Sequence, residues 1–147
     1  MIRLAAWLVS LSIPLALGGA DLAAVKAEPN LEKRARRALD NAVAAYKDAE
    51  EAYMKKGDPE QANAALDEVS QSVELAYASL RQTGKSPVKS PRQFKAAEIG
   101  IRELLRLLAD LREAMSVLDR DHIDNVRAAI QKIHDDLLAG IMGGKKK

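Results

Sequence analysis

Steps of 3, 4, 3, 4, 3, 4 and 3 residues connect Phe94, Ala97, Ile101, Leu104, Leu108, Leu111, Met115 and Leu118. On a helix of 3.6 residues per turn this spacing lines every apolar side chain along one edge, which neighbouring helices must cover. Three more stripes of the same period, each opened by a helix-start signal, fill most of the chain after residue 30. The repeated pattern predicts an all-α protein, and no catalytic constellation interrupts it.

The helix boundaries follow from local chemistry. Asn30 is placed to cap a first helix from about Leu31 to Lys56, with Leu31, Ala35, Ala38, Leu39, Ala42, Val43, Tyr46, Ala49 and Tyr53 as its apolar face. Gly57 supplies a left-handed stop. Asp58-Pro59 restarts the chain at once, with Asp58 as N-cap and Gln61 at the third helical position. A second helix then carries Ala62, Leu66, Val69, Val73, Ala76, Tyr77 and Leu80 to about Thr83, with Gly84 as its stop. So short a connection forces the first two helices antiparallel. Ser90 with Gln93 forms a capping-box pattern that starts a third helix near Pro91 and carries it to about Leu118. Asp119 or Asp121 opens a fourth, whose Ile123, Val126, Ile130, Ile133, Leu137 and Ile141 form its stripe; Gly140, Gly143 and Gly144 are expected to fray its end.

Four helices of similar length suit an antiparallel up-down-up-down four-helix bundle over residues 28–142, ending in a basic tail over 143–147. Coiled-coil-like seams can also be satisfied between chains, so two hairpins joined in a homodimer is the competing arrangement. The positions Tyr46, Ala49, Tyr53, Gly57-Asp58, Ala62, Leu66 and Val69 are spaced as in, and resemble, one tetratricopeptide repeat. Glu50 stands where that motif has a small residue, the closing proline is missing and no second copy follows. Such solenoids need about three repeats to bury their faces, so the spacing is read as that of a tight alanine-rich hairpin.

Residues 1–27 read as a signal peptide. Met1-Ile2-Arg3 gives a positive start, and Leu4 to Leu17 is apolar apart from Ser10, Ser12 and Pro14. Gly18-x-Ala20 and Val25-x-Ala27 both fit the small-x-small cleavage pattern. Cleavage after Ala27 is preferred here, because Glu28-Pro29-Asn30 then leads straight into the first helix; cleavage after Ala20 is the alternative. The apolar run falls short of the roughly 20 residues that span a bilayer, so the mature chain is expected to lack a transmembrane span and to be periplasmic or secreted. Without cysteine there is no lipid attachment at a lipobox, no disulfide and no covalent haem site.

Charge placement is the feature that points toward a partner. The chain carries +2; residues 1–27 hold Arg3 and Lys26 against Asp21, leaving +1 on the remaining 120 residues. In the expected bundle, one end gathers Lys33, Arg34, Arg36, Arg37, Arg81, Lys85, Lys89, Arg92, Lys95, Lys145, Lys146 and Lys147. The other is richer in acid, including Asp48, Glu50, Glu51, Asp58, Glu60, Glu113 and Asp124. The basic end is the candidate anion-binding site, for lipid head groups, anionic envelope polymers or an acidic protein, with added positive character expected from the N-termini of the first and third helices. Nucleic acid is disfavoured, because no aromatic residues interleave the basic ones for stacking.

Catalytic, metal and cofactor sites are not expected. His122 and His134 lie about 18 Å apart along one helix at 1.5 Å per residue, too far to share an ion. A di-metal bundle uses paired Glu-x-x-His motifs, and the chain has none. No serine sits in a Gly-x-Ser-x-Gly turn, and no phosphate-binding glycine loop is present. The chain is therefore expected to be a non-catalytic interaction or scaffold module of the cell envelope. A periplasmic holdase or small-ligand carrier, and a metal or redox bundle, are the alternatives.

Overall fold

The structure is a computed structural model and describes residues 20–143. Residues 1–19, which hold most of the expected signal peptide, and Gly144 with Lys145, Lys146 and Lys147 of the expected basic tail lie outside the described residues. Among those described, all regular elements are helical: α1 (Leu22–Lys26), α2 (Leu31–Met54), α3 (Pro59–Gln82), α4 (Pro91–Ala114), a 3-10 turn (Val117–Asp119) and α5 (Arg120–Met142). No helix among them is long and apolar enough to cross a membrane.

The starts of α2 and α3 are set by their own sequence. The Asn30 side chain accepts the Lys33 N–H at 2.9 Å, and Asp58 accepts that of Gln61 at 3.0 Å. Gly57 and Gly84 take φ of 60° and 70°, the left-handed turn that ends a helix without a Cβ clash. The later helices differ, because their ends are decided by tertiary contacts. Ser90 makes no side-chain cap bond; Gln93, its expected partner, donates instead to Glu32 at 3.3 Å.

The end of α4 departs furthest from expectation. It stops at Ala114 rather than near Leu118, and Met115 turns to an extended ψ of 148°. Two side chains, Tyr53 and Arg120, stop it there. The Tyr53 hydroxyl accepts the Ser116 N–H at 2.9 Å and donates to the Asp119 carboxylate at 2.8 Å. The Arg120 guanidinium donates to the carbonyls of Met115 and Glu113, which a helix end leaves open. Leu118 therefore leaves the seam and is 92% exposed. Asp119, engaged by Tyr53, makes no side-chain cap for α5. Gly140 does not fray α5 but sits within it, where an added Cβ would meet Pro87 at 3.4 Å.

Cross-helix bonds give the chain directions. Arg34 to Ser79 and Asn41 to Ser72 run α2 against α3, and His134 to Glu98 with Arg112 to Asp124 run α4 against α5. Glu32 with Gln93 and Tyr53 with Ser116 place α4 alongside α2 in the same direction. His122 with Asp67 places α5 beside α3. The α2–α3 pairing is the most extensive in the molecule. It is built from small residues: Ala38, Ala42, Ala45, Ala49 and Ala52 of α2, and Ala62, Ser72, Ala76 and Ser79 of α3, are all essentially inaccessible. Small side chains let helix axes approach at the short end of the packing range.

The α4 stripe from Phe94 to Met115 is buried as its spacing predicts, together with Ile123, Val126, Ile130 and Leu137 of α5. Val43, expected on the apolar face of α2, is exposed. Preceding the four long helices, α1 lies over α2 and α3, with Val25 packed on Ala38 and Ala76. Enlarging the small-residue seam tests its role. Ala45→Leu is expected to destabilise the fold by ~1–3 kcal/mol through overpacking, whereas Leu118→Ser stays within about 0.5 kcal/mol as a surface change. Chemical denaturation midpoints compare the two.

Candidate anion-binding end

The start of α2, the α3–α4 loop and the end of α5 meet at one end of the molecule. Glu32 touches both Lys85 and Gln93, and Gly140 abuts Pro87. The predicted basic residues of the described chain are therefore brought to one region, but most are already engaged there. Glu28 lies 3.7 Å from Lys33 and 3.3 Å from Arg37. Lys85 pairs with Glu32. Arg34 reaches across to α3, donating to Ser79 at 2.9 Å and Gln82 at 2.8 Å. Arg81 stacks over the Tyr77 ring, 5.6 Å from its centre.

What remains is a smaller surface. Among the described residues, Arg36, Lys89, Arg92 and Lys95 form no ion pair within 4.0 Å. Arg92 and Lys95 border an open hollow of about 440 Å³ at the start of α4, with Leu80 and Phe94 as its apolar wall and Glu32 and Lys85 at its edge. The first turn of α4 has no side-chain cap, and Pro91 contributes no N–H. The expected helix-dipole enhancement is weaker than the sequence implied. The C-termini of α3 and α5 share this end, and their negative partial charge offsets the N-termini of α2 and α4.

At the opposite end the acidic residues are also partly spoken for. Asp124 is held by Arg112, whose Nε lies 2.5 Å from Oδ1, and Asp119 by Tyr53. Hydrogen bonding and the nearby Arg112 charge hold the Asp124 carboxyl below its ordinary 3.8. Lys85 does the same for Glu32 against an ordinary 4.5. Burial, followed by its bond to Glu50, pushes the Tyr46 phenol up.

The two histidines are absorbed in helix packing. His122 meets Asp67 at 2.7 Å, and His134, buried on the α4–α5 side, meets Glu98 at 3.0 Å. Among the described residues no three His, Asp or Glu side chains converge as a metal-holding group. A polar group that sequence reasoning missed is Asn41, 7% exposed, which donates to Ser72 at 2.9 Å and Glu68 at 3.2 Å. Its place in the spacing Ala38, Asn41, Ala45 was the available signal. The chain matches no family model, no curated protein and no solved structure in the comparisons made with them.

Because Glu32 and Asp124 bind protons less readily folded than unfolded, they add stability above their ordinary values and lose it as pH falls through the lowered ones. Melting temperature is thus expected to drop between about pH 5 and 2. The double variant Glu32→Gln, Asp124→Asn should show a flatter acid limb than the parent in the same titration.

Proposed function

We propose that the chain is exported behind a removed leader and acts without catalysis, as an interaction or scaffold module of the cell envelope. In this reading the packed helices form an antiparallel up-down-up-down four-helix bundle whose basic end binds anionic surfaces. The observation that carries it is the set of unpaired cations, Lys89, Arg92 and Lys95, around the uncapped start of α4. An anionic group there meets two charged side chains and free backbone N–H donors at once.

Partitioning onto vesicles tests this. The protein should bind anionic phospholipid vesicles and ignore neutral ones, and binding should fade in high salt as the screening length shrinks to about 3 Å at 1 M. Replacing Lys89, Arg92 and Lys95 together by alanine should weaken partitioning roughly hundredfold, at on the order of 1 kcal/mol per charge and about 1.4 kcal/mol per tenfold. Equal binding to neutral vesicles, or indifference to salt, would sink the reading.

A second reading, a holdase or small-ligand carrier, draws support from the seam between α2 and α4. Two open hollows lie along it. One of about 290 Å³ is lined by Leu39, Val43, Ala97, Gly100 and Leu104; the other, of about 620 Å³, by Tyr46, Met54, Leu111 and Ala114 among others. An apolar dye should then bind the native protein, and Gly100→Leu, whose Cβ meets Leu39 only at ordinary contact distance, should displace it without unfolding the chain. A parent protein that leaves the dye dark removes this reading.

A further inference from the structure

We propose that the leader is cut between Ala20 and Asp21, and that the amine so released is a structural group seated on Asn41 beside the carboxylates of Asp48 and Glu68. The inference rests on the export reading above and selects the alternative bond over the one after Ala27 that the sequence favours.

The first argument is what each cut leaves behind. Leu22 and Val25 of α1 are 8% and 5% exposed, and Val25 covers Ala38 and Ala76 on the outer side of the α2–α3 seam. A cut after Ala27 removes this cover along with its apolar contacts. A cut after Ala20 keeps all of α1, including its N-cap, since the Asp21 carboxylate accepts the Ala24 N–H at 3.2 Å. Position agrees: Ala20 follows directly on the apolar run, as small-residue cleavage sites do, whereas the route to Ala27 passes the charged Asp21 and Lys26.

The second argument is where the new terminus lies. The Asp21 N–H donates to Asn41 Oδ1 at 2.7 Å, which gives that buried amide its acceptor contact. Ala20 borders a hollow of about 300 Å³ lined by Asp48, Glu51 and Glu68, with Lys56 as its cation. The Ala20 N–H now donates to Asp48 at 3.2 Å; once Ala20 leaves, that carboxylate is free to face a positive charge. Hydrolysis supplies the charge. Water adds to the Ala20 carbonyl carbon and the C–N bond to Asp21 breaks, leaving a carboxylate on Ala20 and an ammonium on Asp21. The catalyst is an envelope endopeptidase of small-x-small specificity.

The test expresses the full chain in a bacterium and reads the intact mass and N-terminal sequence of the product. The expected first residue is Asp21, lost in Ala20→Leu and unchanged in Ala27→Leu. A product starting at Glu28 overturns this proposal while leaving export intact, and an uncut, retained chain overturns both. For the seated amine, an acylating reagent at neutral pH should modify the Asp21 amine more slowly in the parent than in Asn41→Ala. Equal rates in the two proteins would overturn the structural role of the terminus.

Discussion

Helices α2 and α3 meet along side chains no larger than a methyl or hydroxymethyl group at most positions, and this close approach constrains the remaining packing. Alanine offers little apolar area to bury, so the seam gains from many short dispersion contacts rather than from large side chains. Such contacts fall off quickly with distance, and the seam holds only if the two backbones stay in register. Asn41 with Ser72, and Arg34 with Ser79, fix that register with directional bonds at two heights. Most of the bulky residues lie on the other pair: Phe94, Ile101, Leu104, Leu108 and Leu111 on α4, and Ile123, Ile130 and Leu137 on α5, fill the space beside the hairpin and meet its Tyr46, Leu66, Val69, Val73 and Leu80.

The parts of the fold legible in the sequence are those decided within a few residues. Asn30, Asp58, Gly57 and Gly84 act where their local chemistry says they should. The α4 stripe is legible because seven of its eight positions point at one core. What escaped detection depends on residues far apart in the chain. Glu32 takes Gln93 away from the Ser90 cap, Tyr53 takes Asp119 away from α5, and Arg120 closes α4 early. Each replaces a local cap with a partner about 60 residues distant or across a turn, and no local pattern announces such a choice.

The candidate site shows the same division. Counting basic residues along the chain anticipates that they gather at one end, because helix direction alone brings them together. It overstates the free charge, because Glu28 and Glu32 are folded back among them and neutralise Lys33, Arg37 and Lys85. The basic surface left unpaired at this end is thus set by which cations have no internal carboxylate within reach. It centres on the start of α4 rather than on the denser basic run of α2.

The same asymmetry that makes α2–α3 tight explains why the opposite side of α2 is loose. A helix has a limited number of inward positions, and α2 spends Ala38, Ala45 and Ala52 on the seam together with Asn41, which ties it to both α3 and the chain before α1. Facing α4 it presents Ala35, Leu39 and Val43 against Ala96, Ala97 and Gly100, too little volume to fill the gap. On the outer side, α1 closes the hairpin with Leu22 and Val25. The hairpin is therefore sealed on the face that α1 covers and open along the α2–α4 groove, while the unpaired Lys89, Arg92 and Lys95 lie by the start of α4. A partner recognised by charge and a ligand recognised by apolar contact would engage different places on this protein, so the two functional readings are separable by mutation.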